Sequence, residues 1–505
     1  MSDDSLQIPH RPANRVLWSS IALAVVGALV AAAVIFWPTE DTTCGEGVTK
    51  AGEDCYGVTD GAYSFPGLDD ISEKIEAENR RVEKEGGAYV TVAYLEAMSG
   101  GEADRGRDTI REAVTGAHLA QLDINRKGGA RPRVRLLLAS TGHGDTHASD
   151  VVEQLVSLRD EERLVAVAGL GQSNKHTVAA VDELRKAGMP TVGATVAADG
   201  FGSDRKGFYR VSFPTKDQAG AAARYLKKEQ DADHGYRVQI VRGGKDGDDY
   251  NAQLYWGFRA AAERVGLKVD EEIVPYSSGS AAPQSNDLYG AAEKVCAPDP
   301  QPDAVYFAGR GRDLRLFIEA AGEAGRRCPV KVLSGSSAVG VYFDTAGKAH
   351  GAELKALSER WRASGIKAYY TAFTHPKIAA EVYGGKDRGP YGPFEERYRA
   401  VTGSSSAAAL EDGQAMLGHD AVYTVAMAAR RALRGSPEGV DAMAVRGQLE
   451  QTQGLFTVRG VSGKIAFDPD TGEPTGRPMA LVELGAPEEG GGAVGRYRFV
   501  EPLRP

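Results

Sequence analysis

Two short segments, Gly169-Leu170-Gly171-Gln172-Ser173-Asn174 and Gly193-Ala194-Thr195, have the composition of loops that receive a small polar ligand. Each follows a short β-branched run and leads toward an amphipathic stretch, which places Gln172, Ser173, Ala194 and Thr195 where helices begin. Backbone N–H groups and hydroxyls at a helix start hold an anion such as a carboxylate. Ser173 and Thr195 equally suit helix capping, and the two uses are compatible. The first segment begins like a dinucleotide fingerprint. However, Asn174 stands at its last glycine position and no acidic residue closes the next strand to hold a ribose.

Other constellations fall short of catalysis. Gly335-Ser336-Ser337-Ala338-Val339 approaches a nucleophile elbow, yet Val339 occupies the position where G-x-S-x-G needs glycine. His143, Asp145 and His147 share a glycine-rich loop (TGHGDTH) with metal-ligand side chains, but an open loop needs further ordered ligands to keep an ion. His419 and Asp420 open a helical stretch, where an aspartate is accounted for by the helix dipole. No cofactor and no enzymatic activity are expected, and an α/β-hydrolase-like enzyme is the weaker alternative.

The chain that must position these loops has 505 residues, more than one hydrophobic core usually serves, so two lobes are expected. Hydrophobic residues make up 42% and charged residues 26%, ordinary values for a globular chain. A net charge of -9 disfavours nucleic acid, whose binding needs a basic surface. Residues 16–37 carry no charge and are long enough to span a bilayer, with Trp18 and Trp37 at the ends and Arg11 and Arg15 before them. That pattern predicts one transmembrane helix at 16–37, a cytoplasmic tail at 1–15 and an extracytoplasmic remainder at the cell membrane. The apolar run exceeds a cleavable signal core, and Asp41, Thr42 and Thr43 ahead of Cys44 do not make a lipobox. Four cysteines outside the membrane are expected to pair locally, Cys44 with Cys55 and Cys296 with Cys328. A four-thiol zinc site would need close CxxC pairs, which are absent.

Residues 38–88 read as a juxtamembrane segment, with Ile71, Ile75 and Val82 marking a stalk helix at 69–84. From residue 89 short apolar runs alternate with amphipathic stretches, the pattern of parallel sheets covered on both faces. Strands are predicted at 89–95, 134–138, 164–169, 191–193, 238–241, 304–308, 330–333 and 368–372. Helices are predicted at 108–125, 150–159, 175–187, 218–229, 251–265, 313–324 and 419–434. In such sheets ligands sit beyond the carboxyl ends of the strands, which is where the two segments above fall.

Several blocks in order resemble the type I periplasmic-binding family that includes the leucine-, isoleucine- and valine-binding proteins. They are VTVAYLEAMSG, GLGQSNKHTVAAVDELRKAGMPTVGATVAADGF, GFYRVSFPTKDQAGAAARYL, DDYNAQLYWGFRAAAERVGLKV, DAVYFAGRGRDLRLFIEAAGEAG, HDAVYTVAMAAR and GVSGKIAFDPDTGEPTGRPMALVEL. The resemblance implies two doubly wound parallel sheets in discontinuous lobes, 89–211 plus 339–469 and 212–338 plus 470–505, joined by three crossing segments. It matches Gln172, Ser173, Ala194 and Thr195 to first-lobe positions that receive a ligand's carboxylate and polar head, and Asp249 and Tyr250 to a second-lobe loop near the cleft. Two positions depart from the amino-acid binders: Arg310 replaces an aromatic residue, and Ser336 or Ser337 replaces an acidic one. Serine supplies no charge for a ligand ammonium, whereas Arg310 suits bidentate pairing with an anion. The implied function is capture of a small polar or anionic, amino-acid-like ligand for an ABC permease. A membrane-anchored sensor signalling through a membrane partner is the alternative.

Overall fold

In the computed structural model of the chain, residues 43–100, 104–126, 131–201, 206–244, 248–277, 281–323, 327–342, 350–385, 389–435, 439–488 and 495–504 are described. The expected tail and membrane helix at 1–37 lie outside them. Among the described residues no helix is long and apolar enough to cross a membrane.

Two sheets form the core of two lobes. The first takes β1 (Thr43–Gly45), β2 (Val48–Ala51), β3 (Asp54–Thr59), β4 (Tyr89–Glu96), β5 (Arg133–Ser140), β6 (Leu164–Gly169), β7 (Thr191–Gly193) and β8 (Phe208–Arg210). Their order is β1-β2-β3-β5-β4-β6-β7-β8. The second takes β9 (Val238–Gly243), β10 (Ile273–Tyr276), β11 (Ala304–Ala308), β12 (Lys331–Ser334) and β13 (Lys367–Ala372), a separate hairpin following as β14 (Val458–Gly460) and β15 (Gly463–Ile465). With β16 (Met479–Leu484) and β17 (Tyr497–Leu503) its order becomes β10-β9-β11-β12-β13-β16-β17. Each sheet thus contains a doubly wound parallel core, in which the first strand lies between the second and third. Strands such as β6 (LVAVAG) and β11 (AVYFA) are buried along their whole length, as central parallel strands covered on both faces must be.

The sheets are mixed, which corrects the expectation of two wholly parallel ones. β3 runs antiparallel to β5, and β16 runs antiparallel to β13 and β17. These strands cover edges that the parallel cores would otherwise leave open. Residues 339–372, assigned above to the first lobe, contribute β13 to the second sheet, so the chain returns to the first lobe only after residue 372. β16 and β17 place 479–503 in the second sheet.

The segment 43–85 is not a stalk. Its helix Asp69–Glu85 buries Ile71, Ile75, Glu78, Asn79 and Val82 against the first lobe. Asn79 donates Nδ2–H to the Leu136 carbonyl at 2.8 Å and accepts from the Leu136 N–H at 2.9 Å. Asn125 treats Val134 in the same way, at 2.9 and 2.8 Å. Two asparagine amides therefore satisfy the part of β5 that β3 does not reach, where unpaired backbone groups would be costly. Both disulfides form as expected, with Cα separations of 6.2 Å for Cys44–Cys55 and 5.1 Å for Cys296–Cys328.

Three passes connect the lobes: after β8, after β13 and between β15 and β16. The first and third are tied together by Arg210, fully buried, whose guanidinium pairs with Glu473 at 3.0 Å. The β14–β15 turn that precedes the third pass is tied to the helix Gln414–Gly435 by Asp420, which accepts from the Val461 and Ser462 N–H groups, both at 2.8 Å.

Candidate ligand cleft

The first-lobe wall is made by the loops after β6 and β7. The helix Lys175–Lys186 starts at Asn174, whose side chain accepts from the His176 and Thr177 N–H groups at 2.9 and 3.0 Å. Asn174, rather than Ser173 or Thr195, is thus the cap. The Ser173 hydroxyl instead accepts from the Ala197 and Ala198 N–H groups at 2.8 and 2.9 Å. Thr195 Oγ1 donates to the Gly171 carbonyl at 2.7 Å, and the Ala194 N–H donates to the Gly169 carbonyl. Gln172 is half-buried, and its carbonyl accepts from Thr177 Oγ1 at 2.8 Å. Four predicted residues therefore sit together, and the Ser173 and Thr195 side chains hold the two loops to each other.

The second-lobe wall is made by the loops after β9, β11 and β12. Asp248 caps the helix Asp249–Val265, accepting from the Tyr250 and Asn251 N–H groups. Both of its oxygens also meet Arg310, with Nε and Nη2 donating at 2.7 and 2.9 Å. The same guanidinium lies 4.8 Å from the Tyr250 ring centroid. Tyr250 is buried, and its hydroxyl accepts from the Ser337 N–H at 3.0 Å and lies 3.5 Å from Ser336 Oγ. Ser336 is buried too, its N–H donating to Gln218 Oε1 at 2.8 Å. Behind this wall, the Tyr276 hydroxyl donates to Asp313 at 2.8 Å. Burial pushes the Asp313 carboxyl up to about 6, against that hydrogen bond.

Arg310 joins the walls, its Nη2 donating to the Ser173 carbonyl at 2.8 Å. With it, Gln172, Ser173, Ala194 and Thr195 lie on the first-lobe side of the contact and Tyr250, Arg310 and Ser336 on the second-lobe side. A second link lies toward the passes, where the Asp199 N–H donates to Gln253 Oε1 at 2.7 Å.

The bidentate partner of Arg310 in the structure is Asp248, a residue of the chain, where the sequence suggested a ligand anion. Asp248, Gln218 and Gln253 were not anticipated. For Asp248 a signal existed, since an aspartate directly before a helical stretch is an N-cap candidate. For the two glutamines, which act across long sequence separations, none did.

The glycine-rich loop at 141–147 is held by hydrogen bonds and ring stacking. His143 Nδ1 lies 3.0 Å from Asp104, and the His147 ring stacks on Tyr56 at 3.8 Å. Among the described residues no group of three or more His, Cys, Asp or Glu is arranged to hold a metal ion.

A family model described as "Periplasmic binding protein" matches residues 89–491. The fold is similar to that of a leucine binding protein from Thermotoga maritima, at TM-score 0.60 and 21% identity over 82% of this chain and 99% of that one. It is also similar to a branched-chain amino acid transporter substrate-binding protein from Streptococcus pneumoniae, solved with isoleucine, at TM-score 0.58 and 18% identity over 82% and 100% of the two chains. An ABC transporter substrate-binding protein from Desulfitobacterium hafniense, complexed with Leu, gives 0.57 and 17% over 82% and 99%. No curated protein sequence matches the chain. On the span of that family match, and with two lobes closed on strand-end loops, the chain belongs to the periplasmic binding protein family.

Proposed function

We propose that this chain captures a small, amino-acid-like ligand outside the cell and presents it to an ABC-type permease, without catalysis. The observation that carries the reading is the Arg310–Ser173 contact, which sets two groups of strand-end loops face to face, where doubly wound sheets bind ligands. The solved relatives that bind Leu or isoleucine support the ligand class. Because Asp248 offsets Arg310, the second wall favours a ligand of low net charge, such as a zwitterion, over a simple anion. The ligand-binding residues on this reading are Gln172, Ser173, Ala194, Thr195, Tyr250, Arg310 and Ser336. The uncharged run at 16–37 would hold the protein to the membrane with the lobes outside. Mass spectrometry of small molecules released from the purified chain tests the function. An amino acid in stoichiometric amount is the expected result, and recovery of a nucleotide or a sugar instead would sink it.

A further inference from the structure

The strands β1–β3 precede the span that matches the family, yet they reach two strand-end loops of the first sheet. Among their residues, Asp54 is half-buried. Oδ1 accepts from Ser99 Oγ at 2.6 Å and from the Cys55 N–H at 2.8 Å. Oδ2 accepts from the His143 N–H at 2.6 Å. Ser99 follows β4 and His143 follows β5, so one carboxylate ties together two strand-end loops. Two residues further on, the Tyr56 ring stacks on His147 with 2° between the planes. Gly142 lets the loop come this close: at φ +71, a Cβ there would sit 3.0 Å from Asp54 Oδ2.

From the second of these loops the contacts run on to the candidate ligand loop. Thr141 Oγ1 donates to Asp145 Oδ1, and Asn174 Nδ2 donates to Asp145 Oδ2, both at 2.6 Å. Asn174 caps the helix that begins beside Gln172 and Ser173, and the Ser173 carbonyl meets Arg310 of the other lobe. Two non-glycine residues along this path have left-handed backbone, Asp145 at φ 60 and Leu170 at φ 61. Such strain persists only where surrounding contacts over-determine it.

We propose that the disulfide-closed hairpin is a brace for the ligand loops and that Asp54 is its positioning residue. The brace holds the loop 141–147, and through Asp145 and Asn174 it sets the segment Gln172–Asn174 that closes on Arg310. The functional meaning of the brace rests on the reading of the cleft given above, but its mechanical test needs no ligand.

Hydrogen exchange on the full chain is that test, comparing wild type with Asp54→Ala and Asp54→Asn. The His176 and Thr177 amides are bonded to Asn174 and make no contact with Asp54, so they report transmission rather than loss of a direct partner. In Asp54→Ala these amides and those of 144–147 exchange about tenfold faster, while the second-lobe helix Gly311–Glu323 is unchanged. Asp54→Asn, which keeps one acceptor oxygen and the side-chain shape, shows a smaller change in the same amides, and it serves alone if the alanine variant does not fold. Unchanged exchange at 176–177, or acceleration spread equally over Gly311–Glu323, overturns the proposal. Titration with amino acids is scored separately: exchange that changes as described while no amino acid binds leaves the brace standing and removes only the ligand assignment.

Discussion

The two walls of the cleft are built on different physical terms. In the first lobe, Ser173, Thr195, Asn174 and Asp145 hydrogen-bond within the loops themselves, so the wall is a set of loops whose side chains are largely committed to their own shape. In the second lobe, Arg310 and Asp248 form a charged pair, and the guanidinium also reaches across to the Ser173 carbonyl. The first wall offers pre-set backbone, while the second offers charge and the contact that closes the lobes. Substitutions in the first should therefore be felt in stability far more than in ligand affinity, and substitutions in the second in stability, lobe coupling and ligand choice together.

The largest expected effect comes from breaking the pair in the second wall. Asp248→Ala leaves the guanidinium uncompensated and should cost about 3 kcal/mol, the low end for a buried pair because the two side chains are 19% and 21% exposed. The urea midpoint measures it. Arg310→Met added to Asp248→Ala should restore most of the loss, and strict additivity of the two changes would mean that the pair is not coupled.

A smaller loss, of about 2 kcal/mol, is expected when Ser173→Ala orphans the Ala197 and Ala198 N–H groups. Ligand affinity should change far less than stability. A variant that folds as well as wild type but loses affinity would move Ser173 Oγ from the scaffold to the ligand.

Protonation separates the walls by pH. Burial pushes Glu96, at the end of β4, up to about 7 against the pull of Arg105, and Asp313 behind the second wall up to about 6. Each carboxyl binds its proton more tightly when folded. The stability this gives is complete below about pH 4, where the unfolded chain is also protonated. It is lost as pH rises through about 6 for Asp313 and about 7 for Glu96. Denaturation midpoints from pH 4 to 8 should flatten between about pH 4 and 6 in Asp313→Asn and between about pH 4.5 and 7 in Glu96→Gln, so that the two profiles part between about 6 and 7. The slope removed is about 1.4 kcal/mol per pH unit per proton. Identical profiles for the two variants would contradict the assignment.

Tyr250→Phe is the mildest change, removing a hydroxyl that accepts from the Ser337 N–H, and should cost about 1 kcal/mol of stability in chemical denaturation. A loss several times larger would show that the hydroxyl organises the whole second wall.

The parallel core was readable because its strands are short, wholly buried runs: 164–169, 191–193 and 304–308 are strands with the bounds expected of them. The edge strands were not. β1–β3 are polar and turn-rich, β14 and β15 have three residues each, and β16 and β17 lie beyond the alternation of strand and helix that guided the reading. The helix at 69–85 was anticipated as an element, but its sparse apolar stripe hid its docking, since Asn79 and Glu78 are buried through hydrogen bonds that hydrophobic patterning does not register. At the cleft the loops were legible from glycine and hydroxyl composition. The partner of Arg310 was not, because Asp248 meets it across 62 residues of chain.

On the proposed function an amino-acid-like ligand is held between these walls with Arg310 in contact. Isothermal titration of L-leucine, L-isoleucine and other amino acids into the full chain tests it most directly, with Arg310→Ala run alongside. The expected result is saturable one-to-one binding of at least one amino acid, weakened about thirtyfold, or about 2 kcal/mol, in the variant. Absence of binding by every amino acid, or an affinity that Arg310→Ala leaves unchanged, would contradict it.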